Sequence, residues 1–192
     1  MSALVLAGGQ SRRLGRDKAQ LQIGRESILD RTIRVLRRLT TDVLAVGRKA
    51  EGQYATFTRF LPDERPDAGP LGGLYTGLRN ARGANVVAVA CDLPYLDIDA
   101  LHYLLGLIPG YDAVIPVVGG REQPLHAVYI RTVTPTIERR LDEHELQLSG
   151  LLRELHVRFV REEELVEAHV SLQSFVNVNT LEEWHLIERD AD

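Results

Sequence analysis

The chain has 192 residues, 44% hydrophobic and 26% charged, with a formal net charge of −4 at pH 7. That length suits one domain spanning 1–192, and the acidic balance argues against a nucleic-acid binder. No stretch approaches the roughly 18 apolar residues of a membrane span. The single cysteine, Cys91, excludes an intrachain disulfide and a thiolate metal cluster, and fits a cytoplasmic setting.

Residues 3–7 (ALVLA) read as a short buried strand, too brief for a signal peptide and without its basic flank. Ser27 suits a helix N-cap with Asp30 at N3, and Ile28, Leu29, Ile33, Leu36 and Leu39 form the stripe behind it. Residues 42–46 and 57–61 are a second and a third strand. After 69–73 (GPLGG) a helix runs to about Asn80. Residues 85–90 (NVVAVA) are too apolar to face water on either side. Asp97 caps a helix carrying Ile98, Leu101, Leu104 and Leu105. Strands follow at 111–118 and 123–130, then a helix with Thr134 as N-cap and Pro135 at N1. The tail adds a strand at 157–160, an acidic helix from Glu162, and a helix opened by Thr180 with Glu183 at N3. Alternating strands and helices predict an α/β fold, a parallel sheet covered on both faces; the later hairpin-like pair makes it mixed. In such sheets ligands bind where the carboxyl ends of strands meet loops.

Just past the first strand comes a loop holding Gly8, Gly9 and Gly15, with a net charge of +3 over residues 12–18 from Arg12, Arg13, Arg16 and Lys18 against Asp17. Glycine lets a phosphate approach the backbone, and the cations add forked and mobile positive charge, so the stretch suits a triphosphate. It is not a Walker loop: five residues separate Gly9 from Gly15, and Arg-Asp-Lys follows. It also lacks the G-x-G-x-x-G dinucleotide fingerprint. A tight turn with solvated arginines is the plainer alternative. Asp92 follows the apolar strand directly, ahead of Pro94. Spacing alone leaves it two roles, a magnesium ligand beside a triphosphate or the cap of a turn. Cys91 reads as a buried inert thiol, and the six histidines show no i, i+4 metal pairing.

Leu6-Ala-Gly-Gly9, Ser11, Arg13, Leu14-Gly15 and Asp17-Lys18 fill a pattern that resembles the nucleotidyltransferases, and among them the molybdenum cofactor guanylyltransferases. Cys91-Asp92-Leu93-Pro94 matches the C-D-x-P motif of that family, 69–73 its G-P-L-x-G segment, 123–129 its Q-P-L-x-A-x-Y segment, and 175–180 its F-x-N-x-N-T segment. The resemblance covers most of the chain and is weak over 131–174. It implies a Rossmann-like three-layer fold of the nucleotide-diphospho-sugar transferase type, with GTP and Mg2+. It also implies transfer of GMP to molybdopterin carrying molybdenum, with release of pyrophosphate.

Carried onto this sequence, the resemblance assigns Arg13, Lys18 and Asp92 to catalysis, and Asp92 to the metal. It assigns Leu6, Ala7, Gly8, Gly9, Lys18, Asp63, Gly69, Pro70, Leu71 and Asp92 to the nucleotide. Gln123, Pro124, Asn177 and Asn179 go to the pterin substrate; turn-forming amides are the plainer reading of the two asparagines. After the second strand, Ala45-Val-Gly-Arg48 stands where the family often presents an asparagine, so that contact does not carry over. Other readings are a cytidylyltransferase on the same cofactor, a sugar-nucleotide synthase, or a regulator that binds nucleotide without turning it over. The partners implied are small molecules and the molybdenum enzymes or chaperones that receive the product, with no nucleic acid and no membrane.

Overall fold

The computed structural model of the chain describes residues 1–8, 18–178 and 180–190. Its elements run β1 (Ser2–Leu6), β2 (Gln22–Ile23), β3 (Glu26–Ser27), α1 (Ile28–Leu39), β4 (Val43–Val46), β5 (Arg59–Leu61), α2 (Gly69–Asn80), β6 (Asn85–Ala90) and α3 (Ile98–Gly106). They continue with β7 (Ala113–Val118), β8 (Arg121–Glu122), β9 (His126–Ile130), α4 (Thr134–Asp142), α5 (Leu148–Leu152), β10 (Val157–Arg161), α6 (Glu162–Glu167) and α7 (Leu181–Asp190).

The main sheet has the order β10-β7-β9-β6-β1-β4-β5, with β8 paired to β7. β1 is parallel to β4 and β6, β4 to β5, and β7 to β10. β9 runs against both its neighbours, β6 and β7. This is the mixed, mostly parallel sheet expected. β2 and β3 form a separate small hairpin.

Strand alternation builds the layers. Ala3 and Val5 of β1 join a cluster with Leu29, Ile33 and Leu36 of α1 and Leu101 and Leu104 of α3. Leu4 and Leu6 join the opposite cluster, with Leu71, Leu74 and Leu78 of α2 and Ile137 and Leu141 of α4. Both faces of the central strands are therefore buried, which is why β6 reads as an unbroken apolar run. α2 lies so close to β1 that a side chain on Gly77 would overlap Leu4. Glycine in mid-helix costs about 1 kcal/mol of propensity, and here it permits that contact. A third cluster gathers Leu21, Ile23, Ile28, Val178, Trp184 and Ile187, with Tyr95 at its edge.

The predicted caps form. The Asp30 amide donates to Ser27 Oγ at 3.0 Å and the Asp99 amide to Asp97 Oδ1 at 3.2 Å. Thr180 and Glu183 cap each other, each amide donating to the other's side-chain oxygen at 3.1–3.2 Å. Several boundaries differ from expectation: β5 is confined to Arg59–Leu61 because Ala55–Phe57 forms a 3-10 turn, and β7 starts at Ala113. α2 already begins at Gly69, because Pro70 suits a first helical turn where its missing N–H is no loss. Thr134 is itself helical, and Val133 takes the cap position without a side-chain bond. β9 begins at His126, since residues 123–125 turn away from the ladder.

Candidate active site

The parallel strands β1, β4, β5 and β6 all leave the sheet at one edge. Three backbone hydrogen bonds gather chain around the exit of β6. The Cys91 amide donates to the Leu6 carbonyl at 3.2 Å, the Ala90 amide to Leu125 at 2.8 Å, and the Val178 amide to Asp92 at 3.0 Å. Asp92, half-buried, thus has the end of β1 on one flank and the 123–125 turn on the other. The segment after Phe175 closes on its own carbonyl. Cys91 is buried, as expected of an inert thiol.

At the exit of β1 the side chains of Leu6 and Ala7 are buried and serve the core, whereas Gly8 is exposed. Gly47, at φ +90°, stands against it: a Cβ there would lie 2.5 Å from the Gly8 Cα. The β1 and β4 exits therefore meet backbone to backbone, and the Gly47 amide donates to the Leu61 carbonyl at 2.9 Å. Sequence reasoning missed Gly47 as a site residue. The available signal was a glycine after each of two neighbouring parallel strands. Gly9, Arg13, Asn179 and the Lys18 side chain lie outside the described residues. The Lys18 backbone opens a 3-10 turn, Lys18–Gln20, whose Ala19 packs among the residues of α1.

α2 follows β5, so its N-terminus points to this same edge, where helix amides and the macrodipole favour an anion. Gly69 and Pro70 are exposed there, while the Leu71 side chain is fully buried and serves the core. Asp63 is fixed beside them: its Oδ1 accepts the Arg65 amide at 2.9 Å and lies 3.2 Å from Thr76 Oγ1. Thr76 also accepts the Glu64 amide at 3.0 Å, so the 63–65 turn is latched onto α2.

On the other flank, the Gln123 amide donates to Pro116 at 2.8 Å and the Tyr129 hydroxyl donates to the Pro124 carbonyl at 2.8 Å. Tyr129 is fully buried, and burial first, then the nearby Glu122 charge, raises its pKa, so it stays a donor. His126 is sealed beneath Phe175, with ring centroids 4.2 Å apart, and its Nε2 is 3.5 Å from Ser174 Oγ. Burial lowers the His126 pKa to about 3, so the imidazole is neutral. Ser174, His126 and Asp97 superficially suggest a hydrolytic triad, but Ser174 and His126 are shut from solvent. The Asp97 carboxylate, moreover, caps α3. Asn177 is exposed on the segment between Phe175 and Val178.

Residues 3–159 match the MobA-like NTP transferase domain. The chain belongs to that family. A probable molybdenum cofactor guanylyltransferase of Pelotomaculum thermopropionicum is 34% identical to this MobA-like chain over 93% of it and 87% of the relative. The molybdenum cofactor guanylyltransferase of Syntrophotalea carbinolica is 31% identical over 99% and 91%. In shape, the MobA-like chain is similar to molybdopterin-guanine dinucleotide biosynthesis protein A of Archaeoglobus fulgidus, at TM-score 0.82, 24% identity and coverage of 99% and 98%. It is also similar to 2-C-methyl-D-erythritol 4-phosphate cytidylyltransferase of Thermus thermophilus, at 0.74, 17%, and 99% and 98%. Those two likenesses show the fold, the nucleotide-diphospho-sugar transferase type; guanylyl and cytidylyl enzymes share it, so shape does not select the base.

Among the described residues no three His, Cys, Asp or Glu side chains cluster as a metal cage. The half-buried Asp92 carboxylate at the exit of β6 is chemically suited to magnesium, which takes one or two carboxylates and completes its shell with phosphate oxygens and water. Among the described residues no helix is long and apolar enough to cross a membrane.

Proposed function

We propose that this chain transfers GMP from GTP to molybdenum-bearing molybdopterin in the cytoplasm, in a magnesium-dependent reaction that releases pyrophosphate. The observation that carries the reading is the gathering of the β1 exit, the 123–125 turn and the 175–178 segment around Asp92 by three backbone hydrogen bonds. Those are four of the segments whose motifs match the family, and the names of the relatives point the same way.

A terminal phosphate oxygen of the pterin attacks the α-phosphorus of GTP in line; the bond from that phosphorus to the bridging oxygen breaks, and pyrophosphate leaves with the electron pair. The nucleophile is already an anion, so no side chain has to remove a proton. Positioning and charge neutralisation are what remains for the protein. Asp92 would hold Mg2+, which supplies charge neutralisation on the triphosphate. Lys18 and Arg13 would steady the charge that moves onto the β- and γ-phosphates, and the amides of Gly8 and Gly9 would grip them. Gly69, Pro70 and the turn fixed by Asp63 would lie along the guanosine. Gln123, the Pro124 turn, Asn177 and Asn179 would receive the pterin. The product would pass to molybdenum enzymes or their chaperones.

A competition between GTP and CTP, followed by pyrophosphate release with the pterin acceptor and Mg2+, tests the reading. Preference for GTP is expected; preference for CTP overturns the base assignment, and no turnover with either overturns the activity.

A further inference from the structure

Resting on that reading, we infer that Val178 is a positioning residue: it joins the loop carrying Asp92 to the hairpin that follows the phosphate-binding loop. The geometry is specific. Val178 lies between exposed Asn177 and exposed Thr180, yet its own side chain is fully buried. Its amide donates to the Asp92 carbonyl at 3.0 Å. Its side chain lies with Leu21 and Ile23 on the β2 side of the hairpin, Ile28 at the start of α1, and Trp184 and Ile187 of α7. One residue therefore joins two distant parts of the sequence, through its backbone to the Asp92 loop and through its side chain to the hairpin and α1, and ties both to the nearby α7.

Both proposed charge-bearing residues are close to this knot along the chain. Lys18 is three residues before Leu21, and Asp92 three residues before Tyr95, which packs at the edge of the same cluster. Three residues reach at most about 11 Å, so a shift of the cluster moves the backbone beneath both charges. The hairpin itself is stiff, since the Ile28 amide donates to the Leu21 carbonyl at 2.9 Å. Upstream, the segment is pinned by Phe175 against His126 and by Ser174 Oγ, which accepts the Asp97 amide at 3.0 Å. The helix cap Thr180–Glu183 fixes the start of α7 on the other side. Between those anchors the position of Val178 is over-determined.

A reaction driven by charge placement is sensitive to what braces the Asp92 backbone, because a misplacement of about 1 Å can cost about 10²-fold in rate. The chain has one tryptophan, Trp184, buried in this cluster, so its emission reports on the knot directly.

The test pairs kinetics with that signal. Val178→Ala should lower kcat about tenfold with little change in KM for GTP, at temperatures where circular dichroism shows it folded, and Val178→Ile should restore the rate. In the unsubstituted chain, binding of GTP with Mg2+ should shift Trp184 emission saturably. A Val178→Ala chain with unchanged kcat overturns the inference, and so does Trp184 emission that stays fixed while calorimetry shows GTP bound; the second measurement needs no variant to fold. Calorimetry that shows no GTP binding to the unsubstituted chain strikes the proposed function instead.

Discussion

Asp42 and Asp92 stand at opposite edges of one sheet, the first entering β4 and the second leaving β6. Around Asp42 the structure fixes the carboxylate itself. Ser2 Oγ donates to it at 2.6 Å, the Arg82 amide at 3.0 Å and Arg59 at 3.0 Å. Burial pushes its carboxyl upward, but the Ser2, Arg82 and Arg59 donors outweigh that and hold the pKa below the ordinary value. Around Asp92 three hydrogen bonds fix the backbone, from Cys91, Ala90 and Val178. An acid whose oxygens are taken up by Ser2, Arg82 and Arg59 holds a fold together; an acid on a braced backbone at the edge where strands exit lies where open sheets of this kind bind ligands. The residue type is the same, and the proposed function gives the two edges of the sheet different uses.

The contrast breaks if the two substitutions exchange their effects. Asp92→Ala should reduce magnesium-dependent pyrophosphate release by about 10³-fold, worth about 4 kcal/mol of transition-state stabilisation, while the melting temperature stays close to that of the parent. Asp42→Ala should do the reverse. It leaves the Ser2 hydroxyl and the Arg82 amide without their acceptor, costing about 2–3 kcal/mol and about 5–10 °C in melting temperature, with kcat per folded molecule retained.

Acid titration sharpens the comparison. His126 has a folded pKa of about 3 against an ordinary 6.5. The unfolded chain therefore takes a proton that the folded chain refuses. The contribution is fully present above about pH 6.5 and shrinks by about 1.4 kcal/mol per pH unit below it, about 2 kcal/mol by pH 5. Asp42 acts lower: its depressed pKa gives stability above the unfolded carboxylate value of about 3.9 that is lost as pH falls through the folded value. His126→Phe should flatten the loss of melting temperature between pH 6.5 and 4 and leave the steeper fall below it. A slope unchanged in that variant would remove His126 from the acid response.

The smallest effect belongs to Tyr129→Phe. It leaves the Pro124 carbonyl without its hydroxyl donor, at a cost of about 1 kcal/mol, or about 2–4 °C. Because it loosens the turn on the proposed pterin side, KM for that substrate should rise about threefold while KM for GTP holds. A change confined to GTP would reverse the assignment of the two flanks.

The central sheet was legible because its physics is local. Residues 85–90 are apolar on both faces and became β6 as bounded, and Ser27, Asp97 and Thr180 announced their helices by cap chemistry that depends on three or four neighbours. The family motifs placed Asp92, and the bonds around it bring the segments 123–125 and 175–178 to it. What the sequence hid depends on contacts between distant residues. Gly47 matters because Gly8 lies against it, 39 positions away. Leu71 stands inside a conspicuous glycine-proline motif, but helix α2 turns it into the core. The hairpin of β2 and β3 has too few residues for a period, and it is held by Val178 and Trp184 from the far end of the chain. α5, five residues long, lies where the resemblance is weak.

β9 runs against both of its neighbours, and that reversal separates two kinds of change open to the molecule. A purely parallel sheet offers only departures at its working edge. Here an arrival, 119–125, is set beside the departure of β6. Residues can be inserted or deleted in that arrival without shifting the register of any parallel pair. On the proposed reading, the acceptor's side of the cleft can thus be remodelled for a different pterin while the nucleotide's side is inherited intact.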